Sequence, residues 1–135
     1  MTQQVFINLA VADLQKSADF YAALGFEMNP QFSDDTAKCM VWSDSIYLMI
    51  LTHEKFKHFT NKPIADTKNN IAALFSLSLG SVEEVHAMME KGLNAGGIEP
   101  NETRDMGFMI QRTIEDFDGH TWEVFFMDLS KFPTQ

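Results

Sequence analysis

The fold is decided by the stretch Ile7-Asn8-Leu9-Ala10-Val11-Ala12-Asp13, whose pattern returns as Phe75-Ser76-Leu77-Ser78-Leu79-Gly80-Ser81. In both stretches apolar residues alternate, as in a β-strand with one buried face, and a residue that favours the start of a helix follows. A fainter echo relates residues 44–49 to residues 116–123, with Met49 at the position of Glu123. The chain therefore consists of two similar halves, and we expect a ligand site between them.

Each half predicts a strand, a helix and three further strands. The first helix begins after Asp13 and ends at Gly25, which can adopt the left-handed conformation. The second begins at the capping box Ser81-Val82-Glu83-Glu84 and ends at Gly96-Gly97, with Val82, Val85, Met89 and Leu93 on its buried face. The predicted strands are 5–11, 26–32, 36–42 and 46–52 in the first half and 71–79, 98–103, 108–115 and 120–127 in the second.

The expected organisation is one domain over residues 1–135, because a half of about 60 residues buries too little surface to be stable alone. Module one covers residues 4–52, a connector with a short helix covers 53–70, module two covers 71–128, and a tail covers 129–135. The connector carries Phe56 and Phe59, and Pro63 stops any helix that begins before it. It is either a packed linker, or a flap over a pocket or a dimer contact.

Composition excludes several classes of partner. A net charge of −9 with scattered basic residues disfavours nucleic acid and anionic membrane surfaces, so a small neutral or cationic partner is expected. No apolar run approaches the roughly 18 residues needed to span a bilayer. The single cysteine, Cys39, cannot form an internal disulfide, and its strand-like setting predicts a buried thiol rather than a nucleophile. These features predict a cytoplasmic protein.

Two motifs carry a family resemblance. They are Leu9-Ala10-Val11-Ala12-Asp13-Leu14, followed by Phe20-Tyr21 and Leu24-Gly25-Phe26, and Asp116-Phe117-Asp118-Gly119-His120-Thr121-Trp122-Glu123. The chain resembles the vicinal oxygen chelate superfamily, which covers glyoxalase I (lactoylglutathione lyase), bleomycin-resistance proteins, fosfomycin-resistance transferases and extradiol dioxygenases. The resemblance implies an α+β fold in which two βαβββ modules form a cupped mixed sheet with helices on its convex side. It also implies a homodimer, because relatives usually pair modules across subunits.

Strand alternation predicts which side chains face the cleft. With Ile7, Leu9 and Val11 against the helices, Phe6, Asn8 and Ala10 face the cleft. The same argument assigns the rest of the cleft to Met49, Leu51, Leu74, Ser76, Ser78, Glu123, Phe125 and Met127. Methionines in such walls favour a pocket that accepts varied apolar or aromatic ligands.

Metal-dependent relatives take four ligands from positions that correspond here to Phe6, Met49, Leu74 and Glu123. Only Glu123 can coordinate a metal ion, and three or four donors are normally required. His120 is expected on the opposite face of its strand from Glu123. We therefore expect neither a metal nor another cofactor.

Three roles are open for Glu123. It is a structural carboxylate that accepts hydrogen bonds from Asn8, Ser76 or the backbone, a counter-charge for a ligand, or a general base. Either Gln111 or Arg112, on the neighbouring predicted strand, is expected to face the cleft with Glu123. Alternation does not decide between the two, because a bulge in the strand would reverse it. The residues predicted to contact the ligand are Phe6, Asn8, Met49, Leu74, Ser76, Arg112, Glu123 and Phe125.

The first functional prediction is a glyoxalase/bleomycin-resistance-like protein that binds a small organic molecule between its modules without a metal. The alternative is an isomerase or lyase of the lactoylglutathione-lyase type with Glu123 as catalytic base. A third reading is a subunit or sensor whose cleft is vestigial.

Overall fold

The computed structural model describes residues 3–131, and residues 132–135 of the predicted tail lie outside this range. Module one consists of β1 (Val5–Val11), α1 (Leu14–Leu24), β2 (Glu27–Asn29), β3 (Ala37–Val41) and β4 (Ile46–Thr52). The connector begins with α2 (His53–Lys57). Module two consists of β5 (Leu74–Ser78), α3 (Val82–Asn94), β6 (Arg104–Asp105), β7 (Met109–Glu115) and β8 (Thr121–Met127). Single turns of 3-10 helix occur at Pro30–Phe32 and Leu129–Lys131.

The two modules have the same topology. The strand order is β1-β4-β3-β2 in one sheet and β5-β8-β7-β6 in the other. In each sheet the first strand runs parallel to the last strand of its module, and the other neighbours are antiparallel. The predicted α+β fold of two βαβββ modules is confirmed.

The helix boundaries follow the predicted capping residues. The Asp13 side chain accepts a hydrogen bond from the Lys16 amide and begins α1, and Gly25, with φ +119°, ends it. The Ser81 hydroxyl accepts from the Glu84 amide and begins α3. Each contact satisfies a backbone group that the helix itself leaves free.

The main core lies between the helices and the facing sides of both sheets. Leu9 and Val11 of β1 belong to the same buried cluster as Trp122 and Val124 of β8. Helices α1 and α3 contact each other within this core. The other side of each sheet is called here the open face, and the open faces of the two modules look away from the shared core.

Some predicted elements are wrong in extent. Pro30 begins a 3-10 turn, so the predicted strand 26–32 shortens to Glu27–Asn29. The predicted strand 98–103 is reduced to a bridge between Ile98 and Glu115, and the strand that pairs with β7 is Arg104–Asp105. Val82 was predicted on the buried face of α3 but is 37% exposed.

The connector links β4 of module one to β5 of module two and contacts the turn before β8 on the way. Its Thr67 hydroxyl donates to the Asp118 carbonyl oxygen at 2.6 Å. At Gly119, where φ is +85°, an added Cβ would overlap the Thr67 carbonyl oxygen. Only glycine allows this approach, so the motif that resembles the family also fixes the connector. No helix within residues 3–131 is long and apolar enough to cross a membrane.

Candidate functional site

The open face of module one has an aromatic and thioether surface. Asn8 of β1 lies opposite Met49 of β4, which lies opposite Cys39 of β3. In the neighbouring row Phe6 lies opposite Tyr47. Paired residues share a side of a sheet, so these side chains occupy one surface.

Phe6 and Tyr47 form a flat platform. Their rings stack with centroids 4.5 Å apart and an interplanar angle of 9°. The Tyr47 hydroxyl accepts from Gln4 Nε2 at 3.2 Å, which limits the freedom of the ring. Phe6 remains 51% exposed, so the platform can accept a further ring.

A cavity of about 540 Å³ lies against this platform. It is lined by Gln4, Phe6, Asn8, Asn29, Phe32, Cys39, Tyr47 and Met49. Such a volume and a mostly apolar wall with a few amides are typical of sites for small organic ligands.

Module two has a different open face. The Ser76 hydroxyl donates to Glu123 Oε1 at 2.7 Å, so β5 fixes the orientation of a carboxylate on β8. On the neighbouring strand β7, Thr113 lies opposite Glu123. In the next row Phe125 lies between Ser78 and Gln111. Of the donors that the structural role of Glu123 left open, Ser76 is the one that forms this bond.

Arg112 lies on the helix-facing side of β7, opposite the core residue Val124. The prediction that it contacts the ligand on the open face was wrong. It forms a two-pronged ion pair with Glu99, at 2.9 and 2.8 Å, and its Nη1 lies 2.9 Å from His86 Nδ1 on α3. The hydrogen bonds to Arg112 lower the pKa of Glu99, and the same bonds raise the pKa of Arg112. Because β7 pairs regularly with β8, Gln111 is the residue on the open face.

Sequence reasoning missed Arg104 on β6. It pairs with Gln111, so it shares the open face of module two in line with Phe125. Its side chain is exposed. The signal was hidden because the two-residue strand that carries it has no alternating pattern of its own.

The side chains at the inherited metal positions do not fit a metal. Phe6 is aromatic, Met49 is a thioether, and Leu74 is an aliphatic residue that is 53% exposed. Within residues 3–131 no group of three or more His, Cys, Asp or Glu side chains could hold a metal ion. Glu123 alone cannot meet the coordination requirement of a bound ion.

Cys39 borders the cavity as a buried thiol. It is 3% exposed, and burial raises its pKa, which disfavours the reactive thiolate. The predicted buried thiol is therefore confirmed, and its role in the cavity wall is that of an apolar side chain.

The motif 116–120 builds the junction between the modules. Asp116 accepts from the Tyr21 hydroxyl at 2.6 Å, and its other oxygen accepts from the amides of Asp118 and His120. His120 Nε2 lies 2.8 Å from the Ala10 carbonyl oxygen. The sequence indicated this motif through the resemblance, but its role in joining the modules depends on contacts over about a hundred residues of chain.

Burial is the main cause of the pKa shifts at this junction. It raises the pKa of Asp116, although the charge of His120 and the hydrogen bond from Tyr21 oppose the change. Burial and the nearby Asp116 raise the pKa of the Tyr21 hydroxyl well above its usual value. Tyr21 is therefore a proton donor to Asp116 and an acceptor from Trp122 Nε1 at 3.0 Å.

The predicted site residues fall into two groups. Phe6, Asn8 and Met49 share the cavity on module one, and its lining among the described residues comes from that module alone. Ser76, Glu123 and Phe125 share the open face of module two. Leu74 is the first residue of β5, the strand that carries Ser76. The two groups were expected to face each other across one cleft, but within residues 3–131 the cavity at Phe6, Asn8 and Met49 is bordered by no residue of the second group.

Comparisons with known proteins agree with this architecture. Residues 3–41 match the model of the bleomycin resistance protein-like N-terminal family. A search of curated proteins finds no match. A hypothetical protein from S. aureus is 27% identical, with a TM-score of 0.77 over 93% of this chain and 95% of that one.

More distant structures share the fold. A glyoxalase-related enzyme from Fulvimarina pelagi is 21% identical, with a TM-score of 0.77 over 93% of this chain and 88% of that one. The fosfomycin resistance protein FosX from Listeria monocytogenes is 19% identical, with a TM-score of 0.69 over 97% of this chain and 98% of that one. The predicted resemblance is confirmed, and the chain shares its paired βαβββ fold with these glyoxalase-related and fosfomycin-resistance structures.

Proposed function

We propose that this protein binds a small, planar aromatic molecule without a metal, in a cleft between module one of one copy and module two of a second copy. The observation that carries the proposal is the cavity of about 540 Å³ against the stacked rings of Phe6 and Tyr47. The names of structural neighbours as glyoxalase, bleomycin resistance or dioxygenase proteins agree with a small-molecule site.

The platform favours an aromatic ligand. An incoming ring gains contact with the exposed face of Phe6, and the second ring of the platform keeps Phe6 in position. Aromatic pairs of this kind contribute roughly 0.5–1.5 kcal/mol beyond the burial of their surface. Met49 adds a flexible, polarisable wall that accommodates ligands of different outline.

Glu123 favours a positive charge on that ligand. Its carboxylate is half-buried, is oriented by Ser76, and has no ion pair among the described residues. The net charge of −9 adds to the attraction of a cation. In the proposed cleft, the second copy brings this carboxylate toward the platform.

The homodimer is supported by the positions of the edge strands. Strands β1 and β5 each lie at an edge of a sheet, and Phe6 and Leu74 on them are 51% and 53% exposed. Unpaired strand edges with apolar side chains favour pairing with another strand. Pairing β1 of one copy with β5 of the other would bring the two open faces together.

Binding is tested with N-methylacridinium, a permanent cation, and with acridine at a pH where it is neutral. Replacement Glu123→Gln is expected to weaken N-methylacridinium binding by roughly 1–3 kcal/mol and to leave acridine unaffected. Replacement Phe6→Ala should weaken both, and the exposed α3 variant Glu83→Gln should change neither. Binding that is insensitive to Phe6→Ala would exclude the platform as the site.

Assembly is tested by sedimentation at micromolar concentration. We expect a dimer in the wild type and a monomer in Leu74→Lys, which adds a charge at the edge of β5. A monomer mass of 15.3 kDa throughout this range in the wild type would refute the shared cleft.

The orientation of Glu123 by Ser76 also favours an enzymatic alternative, a lyase or isomerase of glyoxalase type with Glu123 as general base. Thiol adducts of α-ketoaldehydes test it. In an enzyme, Glu123→Gln should abolish turnover while the affinity for an uncharged substrate is kept, because the amide has the same shape but takes no proton. Absence of isomerised product from the wild type would exclude this alternative.

A further inference from the structure

A second cavity, of about 300 Å³, lies between the connector and the end of β1. Asn8 borders both this cavity, called here the connector cavity, and the one on the aromatic platform. Its lining comes from β1, α2, connector residues 64–68 and the turn that contains Asp118 and His120. It is therefore a separate compartment next to the platform.

The roof of the connector cavity is held at both ends. At one end α2 follows β4 directly, with the Thr52 hydroxyl accepting from the Lys55 amide. At the other end Thr67 donates to the Asp118 carbonyl oxygen at 2.6 Å. Ala10 and Leu51 lie on the open face yet are only 6% and 2% exposed, because α2 packs over this end of the sheet.

The walls of the connector cavity are mainly apolar. Small or aliphatic side chains and one ring form them: Leu9, Ala10, Ala12, Phe56, Ile64 and Ala65. Such walls favour a compact apolar group, and the volume limits its size to about one substituted ring.

The charged groups around this cavity differ in whether they already have partners. Asp118 Oδ1 accepts from the Ala12 amide at 2.9 Å, and Asp66 Oδ2 accepts from Asn69 at 2.8 Å. The His120 ring is engaged by the Ala10 carbonyl. Within the described part of the chain, neither the His53 ring nor the Lys68 ammonium has a hydrogen-bond or ion-pair partner. The basic side chains of this lining that are left free to meet a ligand are therefore an imidazole and an ammonium, and one oxygen of each of the two carboxylates is already held by the protein.

We propose that the connector cavity binds a small organic carboxylate with an apolar body, whose carboxylate pairs with the Lys68 ammonium and accepts a hydrogen bond from His53. The apolar body fills the space between Phe56 and Ile64. This site does not depend on the aromatic platform, on Glu123 or on a second copy.

The experiment titrates the isotope-labelled full chain with benzoate and, separately, with benzyl alcohol while amide resonances are followed. Benzoate should shift resonances of residues that line the connector cavity and should bind more tightly than benzyl alcohol. Replacement Lys68→Gln should weaken benzoate by about threefold or more and leave benzyl alcohol unchanged, since it removes one partly exposed charge. The matched control is Lys62→Gln, another exposed lysine of the connector, which should change neither.

A second variant, Ala65→Trp, fills the cavity from an exposed position of the connector and should abolish the benzoate shifts. It should leave N-methylacridinium binding at the platform intact, which separates the two proposals. Equal binding of benzoate and benzyl alcohol, an unchanged benzoate affinity in Lys68→Gln, or shifts confined to Phe6, Tyr47 and Met49 would each overturn the carboxylate site.

Discussion

In module one Asn8 lies beside Met49, and in module two Ser76 lies beside Glu123, at equivalent places in two sheets of the same strand order. The first pair belongs to an apolar cavity with an aromatic platform, whereas the second forms a hydrogen bond of 2.7 Å that orients a carboxylate. The scaffold needs only the helix-facing side of each strand. The open faces have therefore been free to differ, and a duplicated fold can carry two unlike halves of a site.

The turns before the last strands differ as well. In module one the turn contains Ser45, whose φ is not positive, since among the described residues only glycines have a positive φ. In module two Gly119 has φ +85°, and its missing side chain allows the connector to pass. The turn of module two thus has a tertiary role that its counterpart lacks.

The largest expected effect comes from this difference. Replacement Gly119→Ala should destabilise the protein by about 3–5 kcal/mol, because the new Cβ meets the backbone of Thr67 as well as requiring a left-handed conformation. Gly107→Ala is the matched control: φ is +81° but no atom lies within 4 Å, so about 1–2 kcal/mol is expected. Chemical denaturation measures both, and equal losses would contradict the role of the close approach.

The next effect concerns Asp116. Trp42 is its counterpart in module one, since the amides of Trp42 and Asp116 donate to the carbonyl oxygens of Ile46 and His120 in equivalent turns. Replacement Asp116→Asn should cost about 1–3 kcal/mol, since it disturbs the hydrogen bonds from Tyr21 and from two amides. Burial raises the pKa of Asp116, so the folded state binds its proton more tightly than the unfolded state does. Its stabilising contribution is therefore complete below the unfolded pKa of about 3.9 and is lost as pH rises through the folded pKa.

The advantage of the wild type over Asp116→Asn should consequently be largest at acidic pH and shrink as pH rises. Denaturation midpoints of both proteins across a pH series measure this difference. An advantage that grows with pH would contradict the direction of the pKa change.

The smallest expected effects come from substitutions on the two faces of β7, at Arg112 and at Gln111. Replacement Arg112→Ala should cost about 1–2 kcal/mol, because it breaks a partly buried ion pair with Glu99, and it should not alter N-methylacridinium binding. Gln111→Ala should do the reverse, with stability within about 0.5 kcal/mol and a change in binding. Loss of ligand affinity in Arg112→Ala alone would place the site on the helix side of the sheet.

The strands and helices could be predicted wherever local chemistry decides them. The alternation in 5–11 and the caps Asp13, Gly25 and Ser81 gave correct boundaries, since each acts within a few residues. The extents of β2 and β6 failed because a proline turn and a short edge pairing interrupt any pattern. The prediction that Val82 is buried was wrong, because tertiary packing, rather than the apolar stripe of the helix, decides which side of the first turn of α3 is covered.

The sequence by itself determined the duplicated architecture, the family resemblance and the side of each regular strand on which Phe6, Asn8, Ser76 and Glu123 lie. These follow from a period of two along a strand and from repeated local signals. Only the tertiary structure decided that Gln111 rather than Arg112 shares the open face, that the two groups of site residues line separate surfaces, and that the connector encloses a second cavity. The physical reason is that register, packing of one helix against another and the path of the connector depend on contacts between residues far apart in the chain, on which local patterns carry no information.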